Sequence, residues 1–407
     1  MKMTEGGVTA AKGFMSACCA AGIKYRGRTD MAMIWSDKPC RVAGTFTSNL
    51  VKAACVLWDR QIVEETKTAQ AVVINAGIAN ACTGREGFGY CRKTAESVQK
   101  AMGVPVNQVL VASTGVIGMQ LPIEKIMGGV KRMSKTLDHS LQAGTESAKA
   151  IMTTDTKKKE AAVTFTIGGK KVTMGGMCKG SGMIHPNMCT MLGFITTDCA
   201  ISRRLLVKAL KSDVKDTFNM ISVDGDMSTN DTLLLLANGE AGNPEITKEG
   251  AEFETFKKAL HEIDETLARM MAGDGEGATA LFEVKVLHAA NEKQAKTLAK
   301  SVVTSTLTKA AIFGHDANWG RILCALGYSG EKFDPENMEL WFQSKKGKIL
   351  IYKNGVAASY SEEKATDILS CDAVTAVVDI RMGEAQATAW GCDLTYDYVR
   401  INADYRS

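Results

Sequence analysis

Ala69-Gln-Ala-Val-Val-Ile-Asn-Ala-Gly77 is an apolar run broken only at Gln70 and Asn75. Its β-branched centre and closing glycine predict a buried strand. The chain from about Gly89 to Met102 then reads as a helix. Gln108 to Ala112 is a second short apolar run, ending in Ser113-Thr114-Gly115. Strand, helix and strand in this order point to a mixed α/β protein.

The same alternation continues outward. Val163 to Ile167 and Lys171 to Met174 flank Gly168-Gly169, a hairpin signal. Met191 to Ile195 reads as a strand after a loop rich in Gly and Pro, and Leu233 to Ala237 is a core-strand run. Ser202 is placed to cap a helix that begins at Arg203, and Glu249 to Met271 has the pattern of a long amphipathic helix. Leu281 to Leu287 alternates as a strand, and Asn291 can cap a helix running towards Ile312. Met338 to Phe342 and Lys348 to Tyr352 resemble paired strands. Val374 to Ile401, rich in Val and Thr, reads as strand. There is no internal repeat and no low-complexity linker.

With 407 residues, two or more domain-sized units are expected. The apolar share is 45%, the charged share 23% and the formal net charge +4, which argues for a soluble globular protein without a nucleic-acid surface. The basic run Lys157-Lys158-Lys159, followed by Glu160, reads as a solvated loop. No stretch approaches the roughly 18 apolar residues of a membrane span. Met15 to Gly22 imitates a signal segment faintly and reads as mature sequence. The 12 cysteines form no Cys-x-x-Cys and the five histidines have no ligand spacing, so buried free thiols in a reducing cytoplasm are expected, with no metal or cofactor.

The chemistry concentrates in Lys179-Gly-Ser-Gly-Met-Ile-His-Pro-Asn-Met-Cys-Thr-Met-Leu-Gly-Phe-Ile-Thr-Thr-Asp198. A glycine-rich loop leads through Pro186 to Thr190 at the head of a buried strand. That geometry suits an N-to-O acyl shift, in which the Thr190 hydroxyl attacks the Cys189 carbonyl and the ester hydrolyses. The new chain would begin at Thr190. Its α-amine, with a reference pKa of about 8, could serve the adjacent hydroxyl as base. Taken alone, Thr190 reads as an ordinary strand threonine, and spacing by itself does not single it out.

The segment resembles the cleavage region of the ornithine acetyltransferase family, Lys-Gly-Ser-Gly-Met-Ile-x-Pro-x-Met-x-Thr-Met-Leu. Further landmarks of that family occur in order: Gly6-Gly7-Val8-Thr9-Ala10, Lys12-Gly13-Phe14, Asn80-Ala81-Cys82-Thr83-Gly84, Ser113-Thr114-Gly115-Val116-Ile117-Gly118, Ser222-Val-Asp-Gly-Asp-Met-Ser-Thr-Asn-Asp231, Gly314-His-Asp-Ala-Asn-Trp-Gly320 and Ile401-Asn-Ala-Asp-Tyr405. The loop Asn75 to Asn80 departs from the pattern, with Ile78 where a polar residue is expected.

The resemblance implies a layered α/β sandwich, similar to N-terminal nucleophile enzymes but differently connected. It implies an α chain of residues 1–189 and a β chain of residues 190–407, intertwined and assembled as α2β2 or larger. Thr190 would be the nucleophile, and Thr114 and Gly115 the oxyanion donors. Thr156, Lys179, Glu276, Asn402 and Ser407 would contact substrate, which requires an ordered C-terminus over the site. The implied reaction is ping-pong transfer of acetyl from N-acetylornithine to glutamate. Some members also accept acetyl-CoA as donor, and no feature of the sequence decides this. His185, five residues before Thr190, is not needed as a base. The rival readings are a self-processing aminopeptidase or amidase, which passes the acyl group to water, and an uncut binding scaffold.

Replacing Thr190 by Ala should leave one full-length, inactive chain. Intact-mass measurement checks this against two fragments beginning at Met1 and Thr190.

Overall fold

The computed structural model describes residues 1–185 and 191–404, so Cys189, Thr190 and Ser407 lie outside the described residues. Two β-sheets organise the chain. The first holds nine strands: β1 (Lys2–Thr4), β2 (Phe14–Cys19), β3 (Met31–Phe46), β4 (Thr68–Ile78), β5 (Val109–Val116), β6 (Lys159–Ile167), β7 (Lys170–Lys179), β8 (Leu192–Thr197) and, after β9 (Ile221–Ser222) of the other sheet, β10 (Thr232–Ala237). Their order is β1-β6-β7-β8-β10-β3-β4-β5, with β2 paired to β3. The second sheet joins β9 to β11 (Leu281–Ala289), β12 (Glu339–Ser344), β13 (Gly347–Lys353), β14 (Val356–Ala357), β15 (Ala373–Asp379) and β16 (Ala385–Cys392).

Helices layer on these sheets. One face of the first sheet carries α1 (Ala54–Gln61), α2 (Gly84–Met102), α3 (Ile123–Met133) and α4 (Leu141–Ala150). Its other face carries α5 (Arg203–Asp213) and α6 (Ala251–Ala272), and α6 also reaches the second sheet. Beyond lie α7 (Glu292–Thr304), α8 (Thr306–Phe313), α9 (Trp319–Gly327) and α10 (Glu362–Leu369), with α7 packed on β11 and β16. The chain closes with α11 (Tyr396–Asp404). The layered α/β expectation is met.

The period-2 geometry of strands explains the apolar runs. In β10, Leu233 and Leu235 enter the core shared with α5 and α6, whereas Leu234 and Leu236 enter the core on the α1–α4 side. Both faces are buried, so the sequence shows a continuous run rather than an alternation. The hairpin turn falls at Gly168 (φ +53°) and Gly169 (φ +74°), two left-handed positions that a side chain would strain.

Several expectations are corrected. The strand read from Gln108 to Ala112 runs on through Ser113, Thr114 and Gly115 to Val116 as β5. The helix expected from Asn291 to Ile312 is two: Asn291 caps α7, but Ser305 is extended (ψ 112°) and caps α8. The run Val302-Val303-Thr304 lowers helix propensity there. Ser202 occupies the cap position of α5 without a capping side-chain bond. The tail after β16 ends as a helix, because Thr395 Oγ1 accepts the Tyr398 N–H at 3.4 Å and starts a turn. Met15 lies in β2, paired with β3. Of Lys157-Lys158-Lys159 only the first two face solvent, whereas Lys159 is buried. Cys82 and Cys324 are exposed, against the expectation of buried thiols. No helix among the described residues is long and apolar enough to cross a membrane.

Leu235→Ala should destabilise the protein by about 2–5 kcal/mol, because its site between Ala43 and Ile195 has little room to collapse. Denaturant unfolding measures the loss.

Candidate active site

A cleft opens where β7 ends and β8 begins, the point at which Lys179 pairs with Leu192. Its walls are Thr114 and Gly115 of β5, Thr153 and Thr154, Lys179 and Gly180, Met191, the segment from Ser228 to Asp231, Glu276, and Tyr398 and Asn402 of α11. Of the residues expected from the sequence, the fold thus brings Thr114, Gly115, Lys179, Glu276 and Asn402 together. Thr190 precedes Met191, a lining residue, by one peptide bond.

The end of β5 is held in an unusual shape. Parallel pairing matches Asn75 with Ser113, Ala76 with Thr114 and Gly77 with Gly115, after which the register shifts. Gly115 has φ +128°, and a Cβ there would stand 2.2 Å from the Gly77 carbonyl carbon. Only glycine fits. Ser113 Oγ donates to Asn75 Oδ1 at 2.6 Å, and Asn75 Nδ2 donates to the Ile78 carbonyl at 2.9 Å. Asn230 Nδ2 donates to the Ser113 carbonyl at 2.8 Å and the Ala79 carbonyl at 2.5 Å. Ile78 is buried and meets this network through its backbone, which is why no polar side chain is needed there.

Lys179 Nζ lies 3.4 Å from Thr114 Oγ1, to which it donates, and 3.9 Å from Asp155 Oδ2. Burial pushes the Lys179 ammonium below the usual lysine range; Asp155 partly offsets this and the nearby Lys159 adds to it. Opposite, Asn402 Nδ2 donates to Glu276 Oε2 at 2.8 Å, tying α11 to the loop after α6. Gly182 makes that loop possible, since a Cβ there would come within 2.6 Å of the Glu276 carboxylate. The cleft thus encloses a cation, Lys179, with the acids Asp224, Asp226, Asp231 and Glu276 and with hydroxyl and amide groups, a polar lining suited to a small charged ligand.

Thr156 is placed differently from the expectation. It is absent from the cleft walls, and its N–H and hydroxyl both donate to the Asp274 carboxylate. Its neighbours Thr153 and Thr154 line the cleft instead. His185 Nδ1 lies 3.1 Å from Ser222 Oγ, and burial, reinforced by the Lys300 charge, lowers its pKa to about 4.

The sequence alone missed acids that line the cleft, Asp224 and Asp226, and others behind it. Asp224 accepts the Met183 N–H at 2.7 Å and the Ile184 N–H at 2.9 Å, shaping the loop that leads to Pro186. Asp155, Lys159 and Asp274 form a buried ion cluster. One signal was readable: Lys159 is in phase with Ala161, Val163, Phe165 and Ile167, the inward side of β6. No group of three or more His, Cys, Asp and Glu able to hold a metal ion occurs among the described residues.

A layered α/β fold thus carries a cleft at a strained strand end, walled by opposite charges, and the relatives place it among the acyltransferases. The model of the ArgJ family matches residues 15–407. The arginine biosynthesis bifunctional protein ArgJ 1 of Clostridium acetobutylicum is 50% identical over 97% of this chain and 96% of its own. The ArgJ protein of Caldanaerobacter subterraneus is 47% identical over 100% of both. A crystal structure of the Bacillus halodurans ArgJ protein, 46% identical, covers 52% of this chain and 98% of its own with a TM-score of 0.50. This chain belongs to the ArgJ family, a family of bifunctional arginine-biosynthesis proteins.

Binding of a substrate carboxylate at Lys179 should weaken as pH rises through the lowered lysine pKa. Titration calorimetry with ornithine over alkaline pH, run beside Lys179→Met to separate the titration of ornithine itself, reads this out; the same pH dependence in both proteins removes Lys179 from carboxylate recognition.

Proposed function

We propose that the chain transfers the acetyl group of N-acetylornithine to glutamate through an acetyl ester on Thr190, after cutting itself between Cys189 and Thr190. The observation that carries this reading is the convergence of Thr114, Gly115, Lys179, Glu276 and Asn402 on one cleft whose wall includes Met191. The chain begins its second half at that wall. Family membership supports the same assignment. So does the length of the Bacillus halodurans chain, whose 52% coverage is close to the share of residues after the proposed cut.

In this reading Lys179 takes the α-carboxylate of the substrate and Glu276, steadied by Asn402, takes the side-chain ammonium. Thr190 Oγ attacks the acetyl carbonyl. The Thr114 hydroxyl and the Gly115 N–H hold the developing oxyanion; loss of one such donor typically costs about 10²–10³ in rate. Because Lys179 donates to Thr114 Oγ1, the hydroxyl proton of Thr114 is directed elsewhere, towards the acyl oxygen. The α-amine of Thr190 takes the hydroxyl proton and returns it to the departing ornithine. Glutamate then enters the same charged enclosure and accepts the acetyl group. Asn402 closes α11 over the site, which limits water access to the ester.

The two product chains would remain interleaved, since β8 and β10 lie between β7 and β3, and an α2β2 or larger assembly follows from the family resemblance. Thr156 contributes by holding Asp274, and Ser407, outside the described residues, keeps the substrate-contact role that the family resemblance implies. Acetyl-CoA is a second donor in the bifunctional reading of the family name.

Isotopically labelled acetylornithine tests the transfer. With glutamate present, label should appear in acetylglutamate, and without glutamate acetate release should be slow. Equal acetate release with and without glutamate means a hydrolase and ends the transferase reading.

A further inference from the structure

Lys159 is a fully buried cation, 1% exposed, that touches no cleft surface. Its Nζ lies 2.7 Å from Asp155 Oδ1 and 2.6 Å from Asp274 Oδ2. Each of these carboxylates also holds backbone that leads to a cleft wall. Asp155 accepts the Gly180 N–H at 2.7 Å and the Thr153 N–H at 3.0 Å, next to Lys179 and Thr154 respectively. Asp274 accepts the Thr156 N–H at 3.1 Å and the Lys157 N–H at 3.2 Å. Ser181 then links the two sides: its hydroxyl donates to the Asp274 carbonyl at 2.7 Å, and its own carbonyl accepts the Glu276 N–H at 3.1 Å.

We propose that Lys159 is a positioning residue for substrate binding: through Asp155 it keeps the Lys179 ammonium on the Thr114 side of the cleft, and through Asp274 it anchors the loop that presents Glu276. This deepens the reading of the cleft given above and rests on it. The physical argument is one of sharing. Asp155 faces two ammoniums, with Lys159 in contact and Lys179 at 3.9 Å. Lys159 occupies one carboxylate oxygen, so Lys179 is held loosely enough to reach Thr114 and a substrate carboxylate. Remove Lys159, and the most favourable partner left for Asp155 is Lys179, drawn back from the cleft. Asp274 would at the same time become a buried carboxylate without its counter-ion, an arrangement that costs several kcal/mol in typical proteins.

The groups facing Lys179 are Asp155, Lys159, Glu276 and Asp231, together with the Thr114 hydroxyl. Those facing Lys159 are Asp155 and Asp274, with the Lys157 carbonyl at 3.3 Å. Of these, Lys159 is the one cation acting on Lys179, and it disfavours the charged form of Lys179. Lys159 and Asp155 precede the proposed cut and Asp274 and Glu276 follow it, so the cluster also joins the two halves beneath the site.

Lys159→Met keeps an unbranched side chain only one atom shorter and removes its charge. The processed protein carrying it should show a KM for acetylornithine raised about tenfold, with kcat changed much less. The alkaline limb of its kcat/KM profile should move to higher pH, because Lys179 loses a neighbouring positive charge and keeps Asp155. A lowered melting temperature with KM and the alkaline limb both unchanged would mean that Lys159 is only a packing and folding element, and overturns the proposal. If the single variant does not fold, Lys159→Met combined with Asp274→Asn removes the orphaned carboxylate. Calorimetry of ornithine binding to that double variant then tests the same point: weakened binding supports the positioning role, and undiminished binding overturns it. Lys179→Ala run in parallel separates the two readings: raised KM there but not in Lys159→Met sinks only the role of Lys159, whereas unchanged KM in Lys179→Ala sinks the reading of the cleft.

Discussion

The Thr232 N–H donates to the Met191 carbonyl at 2.7 Å, the first rung of the parallel ladder between β10 and β8. The rest of the site depends on that pairing. Both strands are buried on both faces, so their register is pinned by two hydrophobic cores at once, and a one-residue slip would exchange leucines between them. The ladder therefore fixes where the chain emerges at Met191. It also fixes Asn230 two residues before β10, where its amide clamps the Ser113 and Ala79 carbonyls and so sets the bend of β5. Hydrophobic burial in the middle of the first sheet is converted in this way into the position of Thr114 and Gly115.

Charge is arranged around this apolar frame in two depths. At the surface of the cleft, Lys179 and Glu276 carry opposite charges. Behind it, burial pushes the Asp155 carboxyl up, but the Lys179 and Lys159 ammoniums outweigh burial and hold it well below the usual range. Asp231, enclosed beside the cleft, goes the other way: burial drives its carboxyl well above the usual range, with the Ser228 and Thr47 hydroxyls and the Lys179 charge pulling only partly back. One site thus contains a carboxylate kept charged and a carboxyl kept neutral, separated by how closely each meets an ammonium.

The halves on either side of the proposed cut are not separate bodies. β8 and β10 come from the second half and sit between β7 and β3 of the first, and α6 packs against β6 and β7. A break of the chain between β7 and β8 leaves every ladder of the first sheet intact. That topology is compatible with self-processing because the strands are held by lateral hydrogen bonds and burial, neither of which requires the peptide link between them.

The sequence by itself determined the element types and much of the candidate site. Apolar runs such as Ala69–Gly77 and Leu233–Ala237 could be read because period-2 burial is a local property of the chain. Thr114, Gly115, Lys179, Glu276 and Asn402 could be named because they sit in motifs. Only the tertiary structure decided the rest. The break at Ser305 and the helical turn at Tyr396 depend on capping bonds too weak to outvote propensity on paper. Thr156 turned to Asp274, 118 residues away, and Lys159 turned inward from a run that reads as solvated. The physical reason is common to both: a buried charge is tolerated only where counter-charges from distant segments enclose it, and that enclosure exists only after the sheets and α6 have packed.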